Sequence, residues 1–179
     1  MTDYEDNPKV YCGTYAKYND GSIKGAWLDM TGYKDAEEFF AACAELHKDE
    51  EDPEFMFQDF ECFPKELYSE SMSTADVEPI LEYAKLTPEQ RELVEDFCDA
   101  TGESFGSYSI EQIEDSLQFT ADPNDFSSIE EQYGYHCKDA GFIDIPDHIE
   151  SYFDFKRYGE EMMENMSESN GKLFDLNAI

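Results

Sequence analysis

A chain of 179 residues with 44 Asp and Glu against 12 Lys and Arg carries a formal charge of −32. A surface this negative repels nucleic acid and anionic membranes, so direct binding to either is excluded and the implied partner is basic. The acidity does not signal disorder: aromatic residues make up 15% and hydrophobic residues 40% of the chain, enough for a packed core.

From the N-terminus, residues 10–18 are rich in β-formers. Asn19-Asp20-Gly21-Ser22 is a turn cluster whose Asp-Gly pair predicts a tight hairpin, with Ile23–Met30 as the returning strand. Gly32 marks a break. Asp35 then has the composition of a helix N-cap with Glu38 three residues on, and Ala36–His47 reads as a helix with Phe39, Phe40, Cys43 and Leu46 on one face. His47-Lys48 at its end suits the dipole as cations. Residues 49–53 are an acidic loop and 54–63 a third strand, completing a β-β-α-β unit.

Residues 64–74 read as a Ser- and Glu-rich linker, followed by helices over 76–85 and 88–101. Thr87 (N-cap), Pro88 and Gln90 mark the start of the second, and Gly102 its stop. A helix over 109–118 follows Ser109. Asp122-Pro123-Asn124 is a turn, 126–139 a helix ended by Gly141, and 142–145 a short extended piece stopped by Pro146. Helices are expected over 147–152 and 154–166, a loop over 167–171 and a final strand over 172–179. The expected fold is α+β in three small domains: an α+β unit (1–63), a helical middle unit (64–108) and a mixed C-terminal unit (109–179).

No window approaches the roughly 18 apolar residues of a membrane helix, and the start, Met1–Lys9, is acidic where a secretory signal would be basic. A cytoplasmic protein is expected. The odd set Cys12, Cys43, Cys62, Cys98 and Cys137 has no disulfide-framework spacing and reads as small buried hydrophobes. His47, His136 and His148 form no zinc pattern. An EF-hand begun at Asp122 fails, because its fifth position is Phe126. Phosphate-loop, dinucleotide and nucleophile-elbow motifs are missing, and no pair of carboxylates is set apart for acid–base work. The reading is a protein with no catalytic residue, no metal and no cofactor.

One helix carries a pattern that packing does not explain. Glu89, Glu92, Asp96, Asp99 and Glu103 step by three and four residues, within about a quarter of the helix circumference, with Glu95 beside them. Leu86, Leu93, Val94 and Phe97 take a separate face. Like charges at this spacing cost about 0.2–0.5 kcal/mol per pair, so the stripe costs on the order of 1–2 kcal/mol. Arg91 is the one basic residue between Glu89 and Glu103. An acidic run is ordinarily just a solvated face, but the bias recurs at Glu111, Glu114 and Asp115, at Glu130 and Glu131, and in the series Glu160, Glu164, Glu168. The candidate partner-binding surface is therefore Glu89, Glu92, Glu95, Asp96, Asp99, Glu103, Glu111, Glu114, Asp115, Glu130 and Glu131. Duplex DNA is the common polymer of such charge density, about one negative charge per 1.7 Å.

Two segments carry a family resemblance. Tyr18-Asn19-Asp20-Gly21, followed by Gly25-Ala26-Trp27, resembles the opening of the ArdA antirestriction proteins. Ile145-Pro146, then Ile149, Tyr152, Phe153-Asp154 and Tyr158-Gly159, is similar to that family's late segment, a Pro before a Tyr-rich run that ends in Tyr-Gly. The resemblance implies a DNA mimic carried by mobile genetic elements. It implies binding in the DNA groove of type I restriction-modification enzymes. It also implies an elongated row of three small domains and a homodimer made through the C-terminal one. An alternative of a different class is an acidic adaptor or chaperone-like partner of a basic nucleic-acid-binding protein. Halophilic adaptation, a third reading, predicts unfolding at low salt.

Overall fold

The computed structural model describes residues 7–179. It is an α+β protein: among the described residues there are eight α-helices and two three-stranded antiparallel sheets. The chain divides into two compact units, Met1–Arg91 and Glu92–Ile179.

In the first unit, β1 (Lys9–Thr14) lies between β2 (Ala26–Asp29) and β3 (Phe55–Glu61). The expected tight hairpin is corrected: a short helix α1 (Tyr15–Asn19) intervenes between β1 and β2. Thr14 caps it by accepting from the Lys17 amide, so a side-chain oxygen supplied from the strand end competes successfully with direct strand return. Gly25 follows where a Cβ would lie 2.2 Å from the Cys12 carbonyl oxygen, which only glycine tolerates.

Helix α2 (Ala36–Leu46) begins as the sequence predicts, with Asp35 accepting from the Glu38 amide at 2.9 Å. Its Phe39 stacks on Phe57 of β3 and its Cys43 is buried. Val10, Cys12 and Phe57 complete this fully buried layer, contributed by alternate strand positions that face α2. Helix α3 (Thr74–Lys85) buries Val77, Ile80, Leu81 and Tyr83, and its Glu78 accepts from the Ala36 amide at the start of α2.

The linker expected over 64–74 is instead structured. The Tyr68 hydroxyl donates to the Phe57 carbonyl at 2.6 Å, the Phe57 amide donates to the Glu70 carbonyl, and Phe63 and Met72 are buried. Its Ser and Glu content masked the apolar anchors. Helix α4 (Pro88–Thr101) is begun by a reciprocal pair: the Gln90 amide donates to Thr87 Oγ1, and the Thr87 amide to Gln90 Oε1. Arg91 turns back, its guanidinium donating to the Ala84 carbonyl and lying over Tyr83.

In the second unit, α5 (Ile110–Ser116) starts with the Ser109–Gln112 capping box. It stops short of the predicted end, because Leu117–Thr120 is strand β4. After α6 (Ile129–Asp139), the extended piece expected at 142–145 does not form a strand, and α7 (Asp147–Glu150) follows Pro146. Helix α8 (Phe155–Met162) is capped by Asp154. It ends before Glu164, so Glu160, Glu164 and Glu168 do not share one helix. The loop expected at 167–171 is a β-hairpin: β5 (Ser167–Ser169) returns through Asn170-Gly171, at φ 48° and 76°, into β6 (Lys172–Phe174). Positive φ at both positions is the demand of a two-residue hairpin turn. Sheet order is β4-β6-β5, and the strand predicted over 172–179 ends at Phe174, before a 3-10 turn at Leu176–Ala178.

Helices α6 and α8 meet backbone to backbone. A Cβ on Gly134 would stand 2.0 Å from the Phe155 carbonyl oxygen, and one on Gly159 would stand 1.8 Å from that of Glu130. Tyr133, Cys137 and Leu173 form the core beneath, covered by Phe119, Ile129, Tyr158, Met163 and Met166. Phe97 of α4 joins the second unit edge-on to Phe174 and Tyr108. Cys62 departs from the expected burial of cysteines. It is exposed and takes a left-handed backbone, φ 61°, just after β3.

Candidate functional site: acidic helix faces

The three acidic clusters predicted from the sequence fall on α4, α5 and α6, and each begins with a cap that fixes where its first carboxylates point. In the first unit, Glu89 is exposed in the opening turn of α4. Its own backbone amide and then the Thr87 hydroxyl hold its carboxyl below the usual range. Glu111 at the start of α5 is lowered in the same way, by its own amide and then the Ser109 hydroxyl. At α6, the Ser128 hydroxyl and then a backbone amide lower Glu130, with Lys156 adding a smaller pull. Helix N-termini favour anions because their first amides lack intrahelical acceptors, so these positions are secured as charged.

In the second unit, Glu92, Glu95 and Asp99 of α4 are exposed, and Glu103 just beyond its end is half-buried. Glu111, Glu114 and Asp115 of α5 are exposed, whereas Glu130 and Glu131 of α6 are half-buried. Asp96 departs from the predicted solvent-facing stripe. It is 3% exposed and receives hydrogen bonds from Asn170 Nδ2 at 2.5 Å and from the Lys172 ammonium. Lys172 also reaches Glu92 at 2.7 Å. Burial works to lower the Lys172 pKa, but the bonds to Asp96 and Glu92 outweigh it and the net direction is upward.

Thus a cation from β6 sits against a helix whose own cation, Arg91, is turned toward Ala84 and Tyr83, and Asp96 belongs to the fold rather than to the surface. Sequence reasoning missed Lys172 because it lies far along the chain. The Asn-Gly turn beside it, which signals a hairpin, was the available clue. Beyond this pair, residues 92–137 contain not one Lys or Arg. Between Arg91 in the first turn of α4 and Lys138 in the last turn of α6, three successive helices therefore meet solvent with carboxylates and no Lys or Arg.

A different arrangement occurs in the first unit. His47, Asp49 and Glu50 bring three ligand atoms within 4.8 Å of one another, the kind of grouping that can hold a metal ion. The Lys17 ammonium already lies among them, 2.8 Å from His47 Nδ1, 2.9 Å from Asp49 and 2.8 Å from Glu50. Three donors meet three acceptors, so this cation fills the position a metal would take. His47 is fully buried, and its Nε2 lies 3.2 Å from the Cys12 carbonyl oxygen. His47 does stand at the end of α2 as the sequence predicts, but it faces inward, with Nδ1 toward Lys17 and Nε2 toward the Cys12 carbonyl. The hydrogen bonds from Lys17 and then Lys24 hold Asp49 far below the carboxylate range.

Fold and surface define a class: an acidic α+β protein of two compact units with anionic helix faces. Its family follows from the match of the antirestriction protein (ArdA) family model to residues 10–172; the chain belongs to the ArdA family of antirestriction proteins. No curated protein sequence matches it. The resembling motifs now have structural reasons. Gly25 lies against β1 and Gly159 against α6, where no side chain fits. Among the described residues no helix is long and apolar enough to cross a membrane.

Proposed function

We propose that this chain inhibits type I restriction-modification enzymes by occupying their DNA-binding groove as a mimic of B-form duplex. It acts stoichiometrically, without chemistry, in the cytoplasm of a cell receiving a mobile element. The observation that carries this reading is the stretch 92–137, acidic on three helices and devoid of Lys and Arg, in a chain of the antirestriction family. Carboxylates stand in for phosphates: they steer a basic groove toward the protein and release the counterions held there.

The active species in this proposal is a homodimer joined through 109–179. Two chains of −32 each match about 32 base pairs of duplex, at two negative charges per pair. Residues 64–108 serve as a functional module between the other two, although α3 folds within the N-terminal unit.

The test is competition. The protein should displace a labelled duplex from a type I methyltransferase core at about one dimer per enzyme, with affinity that falls steeply as salt rises. Retention of the duplex at excess protein would refute the mechanism.

A further inference from the structure

The N-terminal sheet has one face that α2 does not cover. Directly opposed residues on adjacent antiparallel strands point the same way, so the register places two rows of side chains there: Asp29–Lys9–Glu61 and Trp27–Tyr11–Asp59. Trp27 is 39% exposed, and Ile23 beside it is 74% exposed. Tyr11 meets the indole edge-on at 5.5 Å and donates its hydroxyl to the Ile23 carbonyl, which ties the two apolar residues into one patch. Asp59 and Glu61 border the patch and face solvent. An exposed tryptophan in an apolar patch with a polar rim is the composition of an interaction surface, and tryptophan is enriched among residues that dominate binding energy. Neither the acid content nor the helix faces account for it.

We propose that this face is a second contact site, taking an arginine-bearing segment of the basic partner enzyme. The guanidinium lies on the indole and pairs with the bordering carboxylates. This rests on the groove-binding reading above. The chemistry is already displayed within the chain: the Lys9 ammonium lies 5.5 Å from the Trp27 ring centre and 2.7 Å from Glu61. A cation is thus accepted between ring and carboxylate, and a planar guanidinium stacks on aromatic faces and pairs with carboxylates better than an ammonium does. A second copy of this chain, also at −32, would bring like charge to the acidic border. The partner's charge is complementary.

The two contact types differ in salt dependence. Carboxylate–cation contacts release counterions and weaken with salt, whereas aromatic burial does not. Trp27 is the one tryptophan of the chain, so 5-fluorotryptophan labelling places a single 19F reporter on this face. Saturation with an unlabelled type I methyltransferase core should shift or broaden that resonance. Trp27→Ala should weaken binding about tenfold or more at both low and high salt, leaving the slope of log Kd against log salt unchanged. Neutralising Glu92, Glu95 and Asp99 together should flatten that slope instead.

If the complex forms but the 19F signal stays put and Trp27→Ala binds like the parent, this inference falls and the groove-binding reading stands. If no complex forms, both fall. If light scattering shows that Trp27→Ala abolishes self-association, the face is covered by a second copy and the inference is overturned. The 19F experiment on the unsubstituted protein decides the matter even should Trp27→Ala fold poorly.

Discussion

The two units carry the same kind of charge and manage it differently. In the N-terminal unit, cations are spent on the chain's own carboxylates: Lys17 on Asp49 and Glu50, Lys24 on Asp49, Lys9 on Glu61, Lys48 on Glu45. In the C-terminal unit, residues 92–137 contain no Lys or Arg; Lys172 from a distant strand holds Glu92 and Asp96, and the pairs Lys138–Glu150 and Arg157–Glu161 lie beyond that stretch. The difference teaches that acidity alone is not a site. A carboxylate engaged by a buried cation stabilises the fold, whereas one left facing water at a capped helix end is available to an outside cation.

The sharpest way to break this comparison is to disturb the frame that holds the second unit. Gly159→Ala forces a Cβ to within 1.8 Å of the Glu130 backbone. It should cost more than about 3 kcal/mol, since neither helix can yield without losing its core. Hydrogen exchange should show protection lost across α6 and α8. Parent-like protection there would mean that the close helix approach is wrong.

Lys172→Met comes next. It strands Asp96 in the interior with Asn170 as its remaining donor, and should cost about 3 kcal/mol. Adding Asp96→Leu should restore much of that loss, because an apolar replacement of a buried pair is often neutral. Chemical denaturation of the four proteins of this cycle measures the coupling. The pH dependence follows in sign. Lys172 titrates higher in the folded than in the unfolded chain, so its contribution is whole below the unfolded value near 10.5 and disappears as pH climbs through the folded one. The gap between parent and Lys172→Met should narrow as pH rises through the folded Lys172 value.

Lys17→Met tests the first unit. It removes the ammonium from three acceptors and should destabilise by about 2 kcal/mol, the scale of a charged hydrogen-bonded group. It should also leave His47, Asp49 and Glu50 able to take Zn²⁺, which calorimetric titration would detect in the variant and not in the parent.

Smallest in stability, and most telling for function, is replacing Glu89, Glu92, Glu95 and Asp99 by their amides, with Asp96 kept. Relief of like-charge pairs, a few tenths of a kcal/mol each, is offset by loss of the Glu92–Lys172 ion pair and of the Glu89 charge at the helix start, so the melting temperature should change little. Binding to a type I methyltransferase core should weaken about tenfold, and Glu95→Gln alone by no more than about twofold. Equal binding by the fourfold variant would remove α4 from the proposed surface.

Helix starts were the most legible part of this protein. Asp35, Thr87 with Gln90, and Ser109 act over three residues, so the side chain that caps and the amide it satisfies are read together in the chain. The three strands and α2 were visible in order from β-rich composition and turn residues, which are local, but the short helix α1 between the first two strands was not. The hairpin at Asn170-Gly171 was equally local, yet short strands flanked by Ser and Glu hid it. Segment 64–74 misled because its composition is that of a linker, while two apolar side chains and a tyrosine hydroxyl tie it to β3.

Composition settled that this protein is acidic and apolar enough to form a core, because net charge and apolar content are sums that no folding can change. The chain's order settled where its helices begin and which family motifs it holds. Which acids face water, and which are consumed inside, could come only from three dimensions. Asp96 and Asp99 are one turn apart on the same helix, and nothing in their neighbours separates them. Asp96 is buried because Asn170 and Lys172, more than 70 residues away, arrive beside it. Electrostatic partnership falls off with distance in space, and distance along the chain does not report it.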